Sequence, residues 1–224
     1  MPNCLSINKF LYNGVGLEMP IALGTLEYFN YLSNMKEIYE AHMISLHLPS
    51  EHIITRGTIT NRFVLELQIH HRFLTRNQVD GSHKNPIDVK KAVVSILFNI
   101  GHMEEGDKFF NEMGFNKYNL NKTSEFPFPL ENRFVDQVIH PPASYGPGFN
   151  YIAFQGLINI LNADPELFYY YGSSNLPPCP EDTVWIVFGE PRSISKFQFD
   201  VMKKILAKKN QNDKFVGNNR NVNV

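Results

Sequence analysis

Imidazole, carboxylate and carboxamide side chains gather in two short stretches of this 224-residue chain. The first, SLHLPSEH over residues 45–52, carries Ser45 and His47 two apart and then Glu51. The second, LELQIHH over residues 65–71, carries Glu66, Gln68 and His70 two apart, with His71 out of step. Side chains two apart on a strand share a face. Extended backbone therefore puts Ser45 beside His47 and Gln68 beside His70, while His42 and His71 point the other way. Imidazoles grouped on one face are the raw material of a metal site or a general base. A carboxylate next to them steadies a ring; left alone in a core it is costly.

Four strands are expected to position these groups. Residues 39–48 alternate loosely around Met43, Ser45 and His47, and residues 61–71 are rich in β-branched and apolar types. AVVSILFNI over 92–100 and TVWIVF over 183–188 are apolar runs of buried-strand length. Asn13-Gly14, Asp80-Gly81, Pro177-Pro178 and Glu190-Pro191 punctuate them as turns. Two helices are predicted. Residues 104–113 put Phe109, Phe110 and Met113 on one face. Residues 196–208 do the same with Phe199, Met202, Ile205 and Leu206, start from a Ser195/Gln198 capping box and end in lysines.

Composition bounds the rest. The hydrophobic share of 43% can fill a core, and 18 Phe with 10 Tyr suit a β-rich interior or a large contact surface. A formal net charge of -1 gives no bulk attraction to nucleic acid or anionic lipid. No apolar run is long enough to span a bilayer, and the first residues show neither a secretory leader nor a transit peptide. The expectation is one domain over 1–224, interrupted at about 114–150 by an irregular segment rich in proline and aromatic residues.

The motifs, taken in order, resemble the α-class carbonic anhydrases. LHLPSEH (46–52) followed by LELQIHH (65–71) is similar to the family's H-x-H, S-E-H and E-L-H-L-V-H strands. YGSSNLPPC (171–179), VWIVF (184–188) and Glu190-Pro191 resemble its Y-x-G-S-L-T-T-P-P-C…V-W-x-V-F-x-E-P, and Asn218-Asn219-Arg220 continues the likeness. Residues 95–101 fit its apolar strand before a short helix. The resemblance implies a mainly β (α+β) fold: a large, twisted, mostly antiparallel sheet with a few short peripheral helices. It also implies that the chain starts inside the usual domain, lacking about its first fifth.

That family hydrates carbon dioxide with a zinc ion on three imidazoles and one open position. By the resemblance, the three ligand positions here hold Ser45, His47 and Gln68, so one imidazole remains. Glu51 and Glu66 match the acidic positions that orient the site, and the expectation is that they now satisfy donors in a buried core. Asn175 takes the place of the relay threonine and Val15 that of the proton-shuttle histidine. Around the old pocket, His70 and Ser174 replace apolar residues, while Val93 and Trp185 stay apolar. A relocated, weak metal site on His47, Gln68 and His70 is the sharper alternative to a plain hydrogen-bonded cluster, which is favoured. Cys179 falls where secreted members carry half of a disulfide whose other half lies near the domain start; Cys4 and Cys179 are expected as free thiols.

The reading is a non-catalytic carbonic-anhydrase-like protein without metal or other cofactor. It would be a structural or accessory subunit held by other protein subunits, intracellular, in the cytosol or in a mitochondrial or cytoskeletal assembly. The alternatives are a binding module that uses the old cone for a small molecule or anion, and a residual metal-dependent lyase or hydrolase.

Overall fold

A computed structural model describes residues 11–12, 16–21, 25–30, 35–78, 90–102, 107–112, 115, 166–175 and 178–209. Nearly all of the 114–150 segment, Cys4, Val15, the Asn13-Gly14 and Asp80-Gly81 turns and Asn218-Asn219-Arg220 lie outside them.

The described strands are β1 (Leu11–Tyr12), β2 (Leu17–Pro20), β3 (Thr25–Asn30), β4 (Met35–His47), β5 (Ile53–Arg56), β6 (Ile59–Arg62), β7 (Leu65–Gln78), β8 (Lys91–Ile100), β9 (Leu167–Gly172), β10 (Thr183–Phe188) and β11 (Arg192–Ile194). Helix α1 spans Lys108–Glu112 and α2 spans Lys196–Lys209. Nine strands form one sheet in the order β1-β2-β4-β7-β8-β10-β9, with β3 also on β4 and β11 also on β8. Pairing is antiparallel except that β10 and β11 run parallel to β8, one after the other along the same side. This is the expected α+β sheet with short helices.

The two faces of the sheet differ because the central strands alternate. Leu65, Leu67 and Ile69 of β7, Val94, Ile96 and Phe98 of β8, and Ile44 and Leu46 of β4 belong to one buried apolar cluster. Helix α2 covers that face with Val201, Met202, Ile205 and Leu206, joined by Phe109, Phe110 and Phe115. The helix starts as predicted: Gln198 N donates to Ser195 Oγ at 3.1 Å, and Ser195 N donates to Gln198 Oε1 at 3.1 Å. Gln198, fully buried, also takes Asp107 N at 2.9 Å and donates to Asp107 O and Asn111 Oδ1, which pins α1 to α2.

Helix α1 begins at Lys108 rather than at residue 104, with Asp107 Oδ1 accepting the Phe109 amide at 2.9 Å as a cap, and β7 runs on to Gln78 rather than ending at 71. Three further elements differ from the sequence expectation. Residues 61–71 are not one strand. Phe63 and Val64 separate β6 from β7, because the Phe63 backbone is taken by Ser50 through Ser50 N to Phe63 O and Phe63 N to Ser50 Oγ, both 3.0 Å. The β5–β6 hairpin so formed turns at Gly57, whose φ of 62° lies in the left-handed region that glycine enters freely. Second, β4 begins four residues earlier than expected and carries a bulge between Ala41 and Met43. The extra residue, His42, gives its core-facing place to Ala41, which packs in the apolar cluster. Third, LFYYYG forms β9 without any alternation, since both of its faces are partly exposed at the end of the sheet.

The far end of the sheet closes through side chains. Tyr28 on β3 and Tyr171 on β9 bring their hydroxyls to 3.1 Å, and Tyr171 donates to Asn30 Oδ1 at 3.0 Å. Asn30 in turn donates to the buried Glu37, which also accepts from Tyr39.

Candidate functional site

The face opposite α2 carries the polar groups, laid out in cross-strand rows. Ser45 of β4 pairs with Gln68 of β7 and Gln68 with Ser95 of β8. One step along, His47 pairs with Glu66; one step the other way, His70 pairs with Val93, Val93 with Trp185 and Trp185 with Tyr170. Register thus gathers Ser45, His47, Glu66, Gln68, His70, Val93 and Trp185 on one surface. Asn175 reaches the same surface from the loop after β9, and Glu51 from the turn after β4. Leu97, directly opposite Glu66 on β8, packs with Ile54, Phe63 and Val187 in a small apolar cluster that holds the β5–β6 hairpin against this flank.

The hydroxyl of Ser45 lies between two rings, 3.0 Å from His47 Nε2 and 2.8 Å from His70 Nε2. A serine has one hydrogen to give, so it donates to one ring and accepts from the other. His47 Nδ1 faces Glu51 Oε1 at 3.1 Å. Burial, with His47 alongside, pushes His70 down to about 3, which keeps that ring neutral.

Gln68 is committed at both ends: Asn175 Nδ2 donates to its Oε1 at 2.8 Å, and its Nε2 donates to Glu66 Oε1 at 2.7 Å. Asn175 also approaches Glu51 Oε2 at 3.4 Å. Glu66 is fully buried yet well supplied, accepting from Ser95 Oγ at 2.6 Å, His52 N at 2.8 Å and His52 Nδ1 at 2.7 Å. Burial works against its charge, but the His52 hydrogen bond and the nearby imidazoles outweigh that and hold it at about 2. Burial opposes the charge on Glu51 as well; His47 beside it brings its carboxyl below the usual range.

Glu66 thus satisfies side-chain and backbone donors, and Glu51 faces the side chains of His47 and Asn175. The hydrogen bonds to Glu66 come in part from residues that the sequence did not single out. His52 stands in the S-E-H motif, where sequence alone gives it no role. Ser95 is visible only through the β7–β8 register, and Tyr170 only once LFYYYG is known to be a strand. Tyr170 OH meets His52 Nε2 at 2.8 Å, and its ring stacks on Trp185 at 6.2 Å, the two planes 8° apart. Trp185 Nε1 donates to Ser173 O, and half-buried Ser174 donates its amide to Pro180 O. On the opposite face His71, buried and brought down to about 4 by burial, lies with Nδ1 3.3 Å from Ala92 O.

The eukaryotic-type carbonic anhydrase family model matches residues 27–224. This chain belongs to the carbonic anhydrase family. It is 26% identical over 166 residues to dioscorin DB3L of Dioscorea polystachya, a match covering 74% of this chain and 46% of that protein. The chain thus spans about half the length of the curated relative it matches. Among solved structures it is similar to the α-carbonic anhydrase of Thermovibrio ammonificans in complex with the inhibitor sulfanilamide, with a TM-score of 0.56, 19% identity, and 98% and 73% of the two chains covered. Another is the carbonic anhydrase Cah3 of Chlamydomonas reinhardtii in complex with acetazolamide, with a TM-score of 0.52, 18% identity, and coverage of 98% and 75%. These likenesses establish the fold.

The family's zinc needs three imidazoles, and the donor set here does not fit it. Ser45 and Gln68 stand with His47, the hydroxyl is engaged by two rings, and both ends of the carboxamide are bonded. His70 supplies a second imidazole to the cluster, but it meets Ser45 rather than Gln68. Among the described residues no three His, Cys, Asp or Glu side chains converge as a metal would need.

Proposed function

We propose that this chain is a carbonic-anhydrase fold without zinc that does not hydrate carbon dioxide and acts as a structural or accessory subunit of an intracellular protein assembly. The observation that carries the reading is the state of Ser45 and Gln68. Both stand where the resemblance places imidazole ligands, and both are tied into hydrogen bonds that a bound cation would have to break. A hydroxyl and a carboxamide are poor substitutes for imidazole toward zinc.

The accessory role draws on the end of the sheet. Leu167, Phe168, Tyr169 and Tyr170 of β9 are between 42% and 57% exposed, a run of large apolar side chains on a terminal strand. Natural proteins shield such edges, and a partner subunit is one means of doing so. No helix among the described residues is long and apolar enough to cross a membrane.

The test is metal analysis of the purified chain together with a native pull-down. Substoichiometric zinc and recovery with fixed partners support the reading; stoichiometric zinc with carbon dioxide hydration refutes it. A second reading, a pocket for a small neutral molecule, is favoured by the wall of His70, Val93, Trp185 and Tyr170 beside the polar cluster. Two carboxylates, Glu51 and Glu66, argue against an anion there. A ligand-dependent rise in melting temperature of the metal-free chain would select that reading.

A further inference from the structure

Strand β9 ends the sheet, and one hydrogen bond fixes which of its backbone groups face outward. Gly189 N donates to Glu166 O at 2.8 Å, one step beyond the Phe188–Leu167 pair of the β10–β9 ladder. In an antiparallel ladder, pairs that exchange hydrogen bonds alternate with pairs that do not. Phe168, Tyr170 and Gly172 therefore turn their N–H and C=O groups to β10, while Leu167, Tyr169 and Tyr171 turn theirs away from the sheet. We propose that this edge is a self-association site: β9 pairs antiparallel with β9 of a second copy of this chain, about a two-fold axis at Tyr169, and joins the two sheets into one.

The proposal rests on the reading of β9 as a docking edge and names its partner. With the axis at Tyr169, Leu167 meets Tyr171 of the second copy, Tyr169 meets its own counterpart, and Tyr171 meets Leu167. Each is a pair that exchanges hydrogen bonds in both directions, so every outward N–H and C=O of the strand is satisfied at once. Charge favours a copy as the occupant. LFYYYG holds no charged residue and no proline, the usual guards of an edge strand. Glu166, just before the strand, is paired with Arg56 and would stand opposite Gly172 of the second copy, so like charges do not meet across the axis. A formal net charge of -1 leaves little repulsion between two whole chains.

Apolar area adds to the hydrogen bonds. Leu167 and Tyr169 are 48% and 57% exposed, and with Leu26, Tyr28, Ile69 and Ile186 they line a cavity of about 460 Å³ on the face that α2 packs against. A two-fold axis perpendicular to the sheet keeps the same face up in both copies, so Leu167 and Tyr169 of each copy shelter that rim in the other. On the opposite face Phe168 meets Tyr170 of the second copy and gains the same cover.

The experiment is sedimentation equilibrium of the full purified chain from about 1 μM to about 1 mM, a range that spans weak and strong interfaces of modest size. Residue-resolved hydrogen exchange is read at both ends of it. Expected is a monomer–dimer equilibrium in which exchange at the Tyr169 and Tyr171 amides slows by about tenfold or more, while Phe168 and Tyr170, bonded to β10, stay protected throughout. Tyr169→Pro removes an outward N–H and no bond to β10, so it spares the sheet and should weaken the dimer by about a hundredfold or more. Tyr169→Lys sets two like charges at the axis and should act in the same direction. A chain that stays monomeric over the whole range, or that dimerises with exchange at Tyr169 and Tyr171 unchanged, overturns the proposal. So does a folded Tyr169→Pro chain that dimerises as tightly as the parent. Exchange is read on the unaltered chain, so the result holds whether or not a variant is stable. A chain that is monomeric alone yet recovered with other fixed subunits sinks this proposal and leaves the accessory-subunit reading intact; a dimer recovered without other subunits does the reverse.

Discussion

Asn175 Nδ2 donates to Gln68 Oε1 across 2.8 Å, joining a loop after β9 to the start of β7 over 107 residues of sequence. The contact fixes the carboxamide, so that its nitrogen faces Glu66 and its oxygen faces Asn175.

The first prediction follows from that lock. Ser45→His with Gln68→His places three imidazoles with His47 and removes the two hydrogen-bonded substitutes. The double variant should bind zinc at least about a hundredfold more tightly than the parent chain, read by competition with a chromogenic chelator. Equal affinities would show that the lost donors are not what decides metal uptake.

Stability should fall with acid in two windows. His70 and His71 are depressed from 6.5 to about 3 and about 4, so below pH 6.5 the unfolded chain takes up protons that the folded chain refuses. Glu66 is depressed from 4.5 to about 2, so its contribution is complete above pH 4.5 and is lost as pH falls toward 2. By linkage that second loss is worth about 3 kcal/mol. Urea denaturation from pH 7 to pH 2 should show both slopes, with Glu66→Gln flattening the lower window and His70→Asn the upper. Curves that keep their slopes in these variants would assign acid lability elsewhere.

Gln198 should outweigh Ser195 although they form one cap. Ser195→Ala removes a single N-cap acceptor and should cost about 1 kcal/mol. Gln198→Ala strands the amides of Ser195 and Asp107 and the acceptors Asp107 O and Asn111 Oδ1, so about 3 kcal/mol is expected. Chemical denaturation of the two variants measures the difference.

The closure of β3 against β9 predicts coupling between distant tyrosines. Tyr171→Phe removes the donor to Asn30 and the partner of Tyr28, and should cost about 1 kcal/mol. Tyr28→Phe added to it should cost less than it does alone, because the hydroxyl pair is already gone. Additive effects in the double-mutant cycle would mean that the two hydroxyls do not interact.

Much of the fold was legible from the chain alone. β10 falls on residues 183–188 as expected, and β8 and α2 each within one residue. Buried runs and capping boxes are local signals. The break at Phe63 and Val64 was not legible, because it rests on Ser50 competing for the backbone of a residue 13 positions away. Strand β9 was missed because a strand exposed on both faces carries no alternation.

By itself the sequence determined which side chains share a strand face and that Ser45 and Gln68 stand where the resemblance expects imidazole. Residue type and a period of two are enough for that. Only the tertiary structure decided that Ser45 sits between His47 and His70, that His52 and Ser95 support Glu66, and that Asn175 locks Gln68. Those contacts depend on strand register, a bulge at His42 and loops returning from far along the chain. Each is a distance between residues that local pattern leaves free.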